Sequence, residues 1–291
     1  MMIDKPVVFV TGAARNIGLA VAKKFAKEGY NVCLTSRSEK SADSAAREIM
    51  REYPGITAKG YAMLTNDVNQ IRETFKKVKA DFGRVDALVS NAADPGYNQS
   101  ILSTTPEQFD YVMNSNAKGY FFCCQEAARL MIENGTHGSI VLVGSVHSKR
   151  ALPNRIVYAS SKGAIDVMNR NMCYELGKYG IRSNLLVVGA VYNDRWSCYT
   201  PEDYDKKRAN WPLGMESYPE DIANAVYFLS SDSAKTISGS ELTVDSGVMS
   251  VLLSYNKNWD AEKDEREKGR EKTARRKETS GESRRETEKS R

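Results

Sequence analysis

The strongest constraint on the fold is a succession of strand, glycine turn, helix and strand within the first 36 residues. The apolar run at residues 6–10 is typical of a buried strand, and residues 11–18 (TGAARNIG) follow it directly. Apolar residues then recur at helical spacing until Gly29, a common helix stop, and residues 31–36 (NVCLTS) form a second strand. A right-handed βαβ unit requires this order, which turns the first amides of the helix towards a bound phosphate.

Strands and helices alternate along most of the remaining chain. This alternation implies an α/β fold: a doubly wound, Rossmann-type, mostly parallel sheet with helices on both faces, in a single domain over residues 1–255. Residues 190–216 are predicted to be irregular and are rich in aromatic side chains. Helices are predicted at 39–52, 67–82, 106–134 (as a helix pair or one bent helix), 158–179 and from Pro219 onwards, and strands at 86–90, 139–144, 181–188 and within 238–247.

The composition changes after about Tyr255, so residues 256–291 form a separate segment. This segment is almost wholly charged or small and has no apolar face, which predicts a disordered, solvated tail. Residues 254–291 hold 13 basic and 10 acidic residues, so most of the formal charge of +5 lies there. The rest of the chain is then close to neutral, and we expect no nucleic-acid-binding surface.

Cysteine and histidine usage limits both the compartment and the metal chemistry. The five cysteines are odd in number and scattered, which fits a reducing cytoplasm better than a disulfide framework. Only two histidines are present, so we expect no metal site. The chain enters an apolar strand almost at once, and no apolar run is as long as a membrane span. We therefore expect no signal peptide, no membrane partner and a cytoplasmic location.

The candidate chemistry lies in residues 145–162 (SVHSKRALPNRIVYASSK). Tyr158 and Lys162 are four residues apart, so on a helix they share one face, and an ammonium one turn away favours a phenolate. A phenol ordinarily loses its proton near pH 10, so work near pH 7 needs a pKa shift of about three units. Ser145 ends the preceding strand and can hold a substrate oxygen beside that phenol. Tyr174 repeats the spacing with a second lysine, but no strand or serine precedes it, which predicts a solvated helix face.

Two arginines predict which dinucleotide the glycine turn would bind. Arg37 follows the second strand, where an acidic residue would hydrogen-bond the adenosine ribose; Ser36 and Arg37 suit a 2′-phosphate instead. Arg15 lies in the glycine turn and can approach the same phosphate from the other side. Either arginine alone could be a solvated surface residue, but the pair favours NADP(H) over NAD(H).

With these residues placed, the sequence resembles the classical short-chain dehydrogenase/reductase (SDR) family over residues 5–250. Residues 11–18 resemble its cofactor turn TGxxxGxG, residues 90–93 (SNAA) resemble NNAG, and YASSK, which begins at Tyr158, matches YxxxK. Ser145 lies 13 residues before Tyr158, as in the family, and Asn116 matches the asparagine that supports a proton relay. The motifs fall in the family's order, so the resemblance implies an oxidoreductase.

The resemblance also implies a role for each matched residue. NADPH would give hydride to a carbonyl carbon while Tyr158 gives the proton, and alcohol oxidation would be the reverse. Lys162 would lower the pKa of the tyrosine and hold the nicotinamide ribose, and Asn116 would anchor a water that resupplies the proton. The implied cofactor-binding residues are Gly12, Arg15, Asn16, Ile17, Gly18, Ser36, Arg37, Leu64, Thr65, Asn91, Ala92, Tyr158, Lys162, Gly189, Val191 and Asn193, and the expected substrate-binding residues are Ser145, His147, Asn154, Tyr158, Tyr192 and Trp196.

Several positions depart from the family pattern without removing a catalytic group. Asn16 replaces a glycine of the cofactor turn, where asparagine tolerates left-handed backbone angles better than most residues. Leu64 stands where an aspartate often contacts adenine, and Val188 replaces a proline. Asn193 replaces a threonine near the nicotinamide, and Ser246 replaces a glycine after the last strand. These departures bear on cofactor affinity and on the placement of the nicotinamide.

The sequence leaves the substrate, the assembly and an alternative function open. Walls at 94–99, 147–155 and 190–215 mix aromatic with polar and basic residues, which suits a sugar or polyol; a hydroxysteroid or a 3-oxoacyl-type carbonyl remains an alternative. Because SDR proteins are commonly tetrameric, a homo-oligomer is expected, either a tetramer or a dimer. A catalytically silent NADP(H)-binding sensor or scaffold on the same fold is the alternative function.

Deleting residues 257–291 tests the interpretation of the tail. We expect the melting temperature and the specific activity to stay almost unchanged, because a segment without an apolar face contributes little to a core. Thermal unfolding and a turnover assay of the full-length and shortened proteins provide the measurement. A large loss of either would mean that the tail packs on the body or on a neighbouring subunit.

Overall fold

The computed structural model describes residues 5–251 as one α/β unit built on a seven-stranded sheet. The strand order is β3-β2-β1-β4-β5-β6-β7, and every neighbouring pair is parallel. This confirms the predicted doubly wound, Rossmann-type fold. The strands are β1 (Val7–Val10), β2 (Asn31–Ser36), β3 (Ala58–Ala62), β4 (Ala87–Ser90), β5 (Ser139–Val143), β6 (Arg182–Val188) and β7 (Glu241–Val244).

Six of the eight α-helices in the described part of the chain cover the two faces of the sheet. Alternate residues of β1 show how the faces are divided: Val8 packs with the helices of one face, and Phe9 packs with those of the other. A strand covered on both sides must be apolar throughout, which is why the run at its start is unbroken. The helices are α1 (Asn16–Lys27), α2 (Glu39–Glu52) and α8 (Pro219–Ser230) on the first face and α3 (Val68–Phe82), α5 (Gly119–Glu133) and α6 (Ile156–Leu176) on the second. The other two, α4 (Pro106–Met113) and α7 (Pro201–Arg208), contribute to neither cluster of buried residues.

Two elements differ from the sequence prediction. Strand β3 was not predicted, because only two of its five residues are buried and its centre is Gly60, so it carries no apolar run. Helix α7 lies in the segment predicted to be irregular. It buries none of its residues and therefore has no apolar periodicity, although Thr200 and Asp203 form a capping box at its start. The predicted bend between 106 and 134 is a single π-helical turn, Asn114–Lys118, between α4 and α5.

Two other expectations concern the charged segment at the end of the chain and the lack of membrane-spanning helices. The charged segment 256–291 lies outside the described residues, so the domain boundary near 255 remains a prediction. Between residues 5 and 251, no helix combines the length and apolar composition needed to cross a membrane.

Gly60 provides a test of how β3 packs. A Cβ at this position would lie 2.3 Å from the carbonyl carbon of Ala42 in α2, so strand and helix would have to separate. We expect Gly60→Ala to lower the free energy of unfolding by about 1–3 kcal/mol, the usual cost of overpacking a core. Urea-induced unfolding of wild type and variant measures this change in the free energy of unfolding.

The matched control is Gly177→Ala at the end of α6. Its backbone is helical, with φ of −56°, and a Cβ there would meet nothing within 4 Å. Alanine should therefore be neutral or slightly stabilising at this position. Equal effects of the two substitutions would contradict the close packing of β3 on α2.

Candidate active site

A cleft of about 900 Å³ opens at the carboxyl ends of the strands, where the strand order reverses between β1 and β4. In doubly wound sheets this reversal is the usual place for a ligand. Most of the residues predicted to bind a cofactor line it: Gly12, Arg15, Asn16, Ile17, Gly18, Ser36, Arg37, Leu64, Thr65, Asn91, Ala92, Val191 and Asn193. The other lining residues include Asn66, Asp94, Tyr111, Ser115 and Tyr192.

Two glycines of the turn after β1 leave room that a side chain would fill. A Cβ on Gly18 would lie 2.4 Å from the carbonyl oxygen of Gly12, and a Cβ on Gly12 would lie 2.9 Å from Ala92. Gly12 also has φ of +64°, a conformation that costs other residues energy. The turn therefore brings its backbone close to whatever occupies the cleft.

Asn16 occupies the position where the family has a further glycine. Its φ is +49°, so the asparagine adopts the left-handed conformation that the turn requires. Ser246, which replaces a glycine after β7, does the same with φ of +57°. Both departures from the family pattern thus keep the backbone geometry of the glycine that they replace.

The first turn of α1 faces this cleft through Asn16, Ile17 and Gly18. It contains no acidic residue, and no side chain caps it. Free amides and the positive end of a helix dipole favour a phosphate. This helix start and the glycine turn therefore fit the pyrophosphate of a dinucleotide.

Arg15 and Arg37 both line the cleft, and both are exposed. Neither forms an ion pair with another of the described residues, so both guanidinium groups can bind an anion. Among the described lining residues the only acidic one is Asp94, whose carboxylate accepts hydrogen bonds from the Gly96 amide and the Tyr111 hydroxyl. This end of the cleft is therefore suited to a further phosphate.

Thr11 holds the turn after β1 against the turn after β4, a role that the sequence analysis did not assign. Its buried hydroxyl oxygen accepts hydrogen bonds from the amides of Asn91 and Ala92, each at 2.9 Å. The Asn91 side chain donates in return to the carbonyl oxygens of Thr11 and Gly12. The first residue of TGAARNIG was the available signal, since a threonine at a strand end can bridge two neighbouring turns.

Lys162 is buried to 2% exposure beneath Tyr158. Its ammonium donates to the Val143 carbonyl oxygen at 2.7 Å and to the Tyr120 hydroxyl at 3.1 Å. It also lies 4.8 Å from the centre of the Tyr120 ring and 5.9 Å from the centre of the Tyr158 ring. Burial lowers the pKa of Lys162 to about 7, and the charge of Asp166 acts in the opposite direction. The sequence analysis did not identify Tyr120, although it lies in the stretch NAKGYFF beside Asn116.

Asn116 lies in the π-helical turn between α4 and α5 and is fully buried. Its side-chain oxygen accepts from the Asp94 amide at 2.8 Å, and its nitrogen donates to the Asp94 carbonyl oxygen and to the Ser161 hydroxyl, each at 3.0 Å. The Ser161 hydroxyl donates to the carbonyl oxygen of Tyr158 at 2.7 Å. Asn116 therefore connects the cleft wall to the helix that carries Tyr158.

Ser145 and His147 follow β5 on the Tyr158 side of the site. The Ser145 hydroxyl oxygen is buried and accepts from the His147 amide at 3.3 Å. The His147 ring meets the Tyr158 ring edge to face, with ring centres 5.7 Å apart. Its Nδ1 is buried without a hydrogen-bond partner, and burial followed by the charge of Arg155 lowers its pKa. Both effects favour the neutral imidazole beside the tyrosine.

The remaining predicted residues are placed differently from one another. Tyr192 lines the cleft, whereas Trp196 is 8% exposed, does not line it and packs behind Tyr192 against Tyr199, Tyr204 and Trp211. Gly189 packs closely against Asp245, as shown by the 2.7 Å that would separate a Cβ on Gly189 from the Cα of Asp245. Asn154 is exposed and has φ of +59°. The second tyrosine with helical spacing to a lysine, Tyr174, is 89% exposed, as predicted for a solvated face.

Comparisons with known proteins agree with this geometry. A family model described as enoyl-(acyl carrier protein) reductase matches residues 12–249. A 3alpha-hydroxysteroid dehydrogenase of Mediterraneibacter gnavus is 34% identical over 252 residues, which cover 86% of this chain and 99% of that protein. A glucose 1-dehydrogenase of Gluconobacter oxydans is 32% identical over 261 residues, which cover 87% of this chain and 94% of that protein.

A solved structure extends the agreement to three dimensions. The crystal structure of a gluconate 5-dehydrogenase from Burkholderia cenocepacia, in complex with NADP and tartrate, matches with a TM-score of 0.79 and 28% sequence identity. The match covers 86% of this chain and 97% of that one. With the family match over most of its length, this chain belongs to the short-chain dehydrogenase/reductase family of oxidoreductases.

Proposed function

We propose that this chain is an NADP(H)-dependent oxidoreductase that interconverts a secondary alcohol and a ketone or aldehyde. The observation that carries the proposal is the buried ammonium of Lys162, 5.9 Å from the centre of the Tyr158 ring and one helical turn after it. A cation in a poorly solvated position stabilises a neighbouring phenolate strongly, because little water screens it. Tyr158 is therefore the group that exchanges a proton with the substrate oxygen.

The proposed roles of the other residues follow from their hydrogen bonds. The Ser145 oxygen already accepts from the His147 amide, which leaves its O–H to donate to a substrate oxygen. Asn116 holds the backbone of Asp94 and, through Ser161, the start of the catalytic helix. When bound, the nicotinamide supplies or accepts the hydride. The protein residues orient the substrate oxygen and move its proton.

NADP(H) is the proposed cofactor because two free arginines lie at the cleft end that follows β2. Arg15 and Arg37 are joined there by Ser36, Ser38 and Ser41, all of which are hydrogen-bond donors. No carboxylate lines this end among the described residues, so no charged acceptor stands there for the ribose of NAD(H) and no negative charge would repel a 2′-phosphate. The related gluconate 5-dehydrogenase structure holds NADP.

A polar, hydroxylated substrate such as a sugar or polyol is the proposed substrate class. Asp94, Ser115, Tyr192 and Asn193 give the cleft a polar wall beyond the glycine turn. Next to Tyr158, His147 adds a neutral ring whose buried Nδ1 has no partner. The glucose and gluconate dehydrogenases among the relatives support this choice. The 3alpha-hydroxysteroid dehydrogenase and the 3-oxoacyl-[acyl-carrier-protein] reductases of similar identity are the reason to include steroid and acyl substrates in any assay.

A homo-oligomer in the cytoplasm is the proposed physical state. Apolar side chains are exposed on three helices, with Phe109 of α4 at 46%, Phe121 of α5 at 47% and Val167 of α6 at 51%. Exposed apolar side chains on adjoining elements favour association. Cys33, Cys123 and Cys124 are buried thiols outside any disulfide, which supports a reducing compartment.

Replacing Tyr158 by phenylalanine tests the catalytic assignment. The substitution keeps the ring packing on His147 and removes only the hydroxyl, so we expect kcat to fall by at least about a hundredfold with little change in cofactor affinity. A panel of sugars, polyols, hydroxysteroids and 3-oxoacyl compounds, followed by absorbance of the reduced cofactor, measures turnover. Fluorescence titration measures cofactor binding.

Tyr174→Phe is the matched control, since Tyr174 lies on the same helix and is solvated. It should leave kcat within a few-fold of wild type. Equal activity in the Tyr158 variant would contradict the assignment. Tight NADPH binding without turnover of any compound in the panel would favour the sensor or scaffold alternative.

The cofactor preference is tested by replacing Arg37 with aspartate. Paired hydrogen bonds from guanidinium to phosphate are worth about 1.5–3 kcal/mol each, so wild type should prefer NADP(H) by at least about tenfold in kcat/KM. The carboxylate of the variant would repel a 2′-phosphate and accept from a ribose hydroxyl, which should reverse the preference. The dissociation constants of NADPH and NADH provide a second measurement.

Arg47→Asp makes the same change of charge on the exposed side of α2, away from the cleft. It should leave the preference unchanged, and any loss common to both variants is then a general electrostatic effect. A wild-type protein that prefers NAD(H) would refute the phosphate site.

A further inference from the structure

Lys162 lacks a direct anionic partner among the described residues. Its two hydrogen bonds go to a carbonyl oxygen and a phenol, both neutral groups. A buried ammonium without a counter-charge tends to lose its proton, since the charged form is poorly solvated. The proposed role of Lys162 requires the charged form. A nearby negative charge is therefore needed to offset the cost of burying the ammonium.

Asp166 is placed to supply that charge. It lies one helical turn after Lys162 on α6, so the two side chains share a face. Asp166 is 6% exposed, and its Oδ1 is buried without a hydrogen-bond partner. A buried carboxylate oxygen left without a partner destabilises a fold, which argues for a role other than structural support.

The second oxygen of Asp166 reaches the loop that carries Ser145. Lys149, four residues after Ser145, lies 2.7 Å from Asp166 Oδ2 and 2.7 Å from the carboxylate of Glu241 in β7. Lys149 therefore joins the loop after β5 to α6 on one side and to β7 on the other. The tie fixes the loop of Ser145 relative to the helix of Tyr158.

The charges around Lys162 come from four elements. Burial lowers the pKa of Lys162 to about 7, and Asp166 is the charged group that acts against this shift. The other titratable or charged groups facing this region are Tyr158 on α6, Tyr120 with Cys123 and Cys124 behind it on α5, His147 and Lys149 on the loop after β5, and Glu241 on β7. Of the two carboxylates, only Asp166 is on the helix of Lys162.

We propose that Asp166 is a positioning residue for the reaction: its buried carboxylate keeps the Lys162 ammonium charged beside Tyr158, and through Lys149 it holds the Ser145 loop against the catalytic helix. This inference rests on the proposed function, because it assigns a purpose to the charge on Lys162. Asp166 and Glu241 both form ion pairs with Lys149, but we assign them different roles. Asp166 acts on Lys162 and on the loop, whereas Glu241 acts on the loop alone.

Asp166→Asn and Glu241→Gln form the matched pair of variants, since each removes one of the two ion pairs of Lys149. The titration of Lys162 is followed by isotope-edited NMR of the lysine ε-methylene groups in the cofactor-free protein, assigned by comparison with Lys162→Met. We expect Asp166→Asn to lower the pKa of Lys162 by at least about one unit, since a unit charge within about 12 Å is worth about 1.4 kcal/mol or more at an effective dielectric constant of about 20. Glu241→Gln should leave it unchanged.

The pH profile of turnover gives a second measurement. In Asp166→Asn the alkaline limb of kcat/KM should move to lower pH, because Lys162 loses its proton earlier, and Asp166→Glu should restore it. In Glu241→Gln the limb should stay in place even where the melting temperature falls. If Asp166→Asn does not fold, Lys149→Met is compared with the double variant Lys149→Met/Asp166→Asn. Because these two proteins differ only in the charge of Asp166, the Lys162 pKa should be lower in the double variant.

A purely structural tie would give a different result. The two single variants would then lower the melting temperature alike and leave the Lys162 titration unchanged, which would overturn the inference. The NMR titration needs no turnover, so its outcome is independent of the proposed activity. A shifted Lys162 pKa in a protein that turns over no alcohol or carbonyl would refute the proposed function and leave the charge assignment intact.

Discussion

The burial of Lys162 is the constraint on which the arrangement of the site depends. An ammonium at 2% exposure has to be solvated by the protein, and here the Val143 carbonyl oxygen, the Tyr120 hydroxyl and the Tyr120 ring do so. Val143 is the last residue of β5, so its carbonyl group has reached the end of the sheet and is directed at the helix. The strand that leads to Ser145 therefore also holds the lysine that we propose acts on Tyr158.

A chain of hydrogen bonds through the π-helical turn links the cleft wall to the helix that carries Tyr158. Asn116 binds both main-chain polar groups of Asp94, much as a neighbouring strand would, and also binds Ser161. Ser161 in turn holds the carbonyl group of Tyr158. A regular α-helix across residues 114–118 would change the direction of the Asn116 side chain, which explains why the helix is interrupted there. A displacement of Asp94 in the cleft wall would therefore change the position of Tyr158.

The features that could be predicted from the sequence are those encoded in a short stretch of neighbouring residues. The strand and turn at residues 7–18 combine an unbroken apolar run with glycines at special backbone angles, and α2 was predicted at its observed bounds of Glu39–Glu52. Strand β3 was missed because α2 packs directly on Gly60, which leaves no apolar pattern. The contacts of Asp166 with Lys149 and of Lys162 with Tyr120 could not be predicted, since they join residues that only the tertiary fold brings together.

The aromatic residues after β6 are weaker evidence about the substrate class than their number suggests. Trp196 has Tyr199, Tyr204 and Trp211 against it, and Lys207 lies 5.3 Å from the centre of its indole ring. These rings bury Trp196, which also meets the cleft-lining Tyr192 with ring centres 6.1 Å apart, and the ion pair between Arg208 and the buried Glu216 lies beside Tyr204. Flat apolar ligands need exposed ring faces, and the buried Trp196 does not present one. The aromatic cluster is therefore no argument for a steroid, and our proposal of a hydroxylated substrate rests on the polar groups that line the cleft.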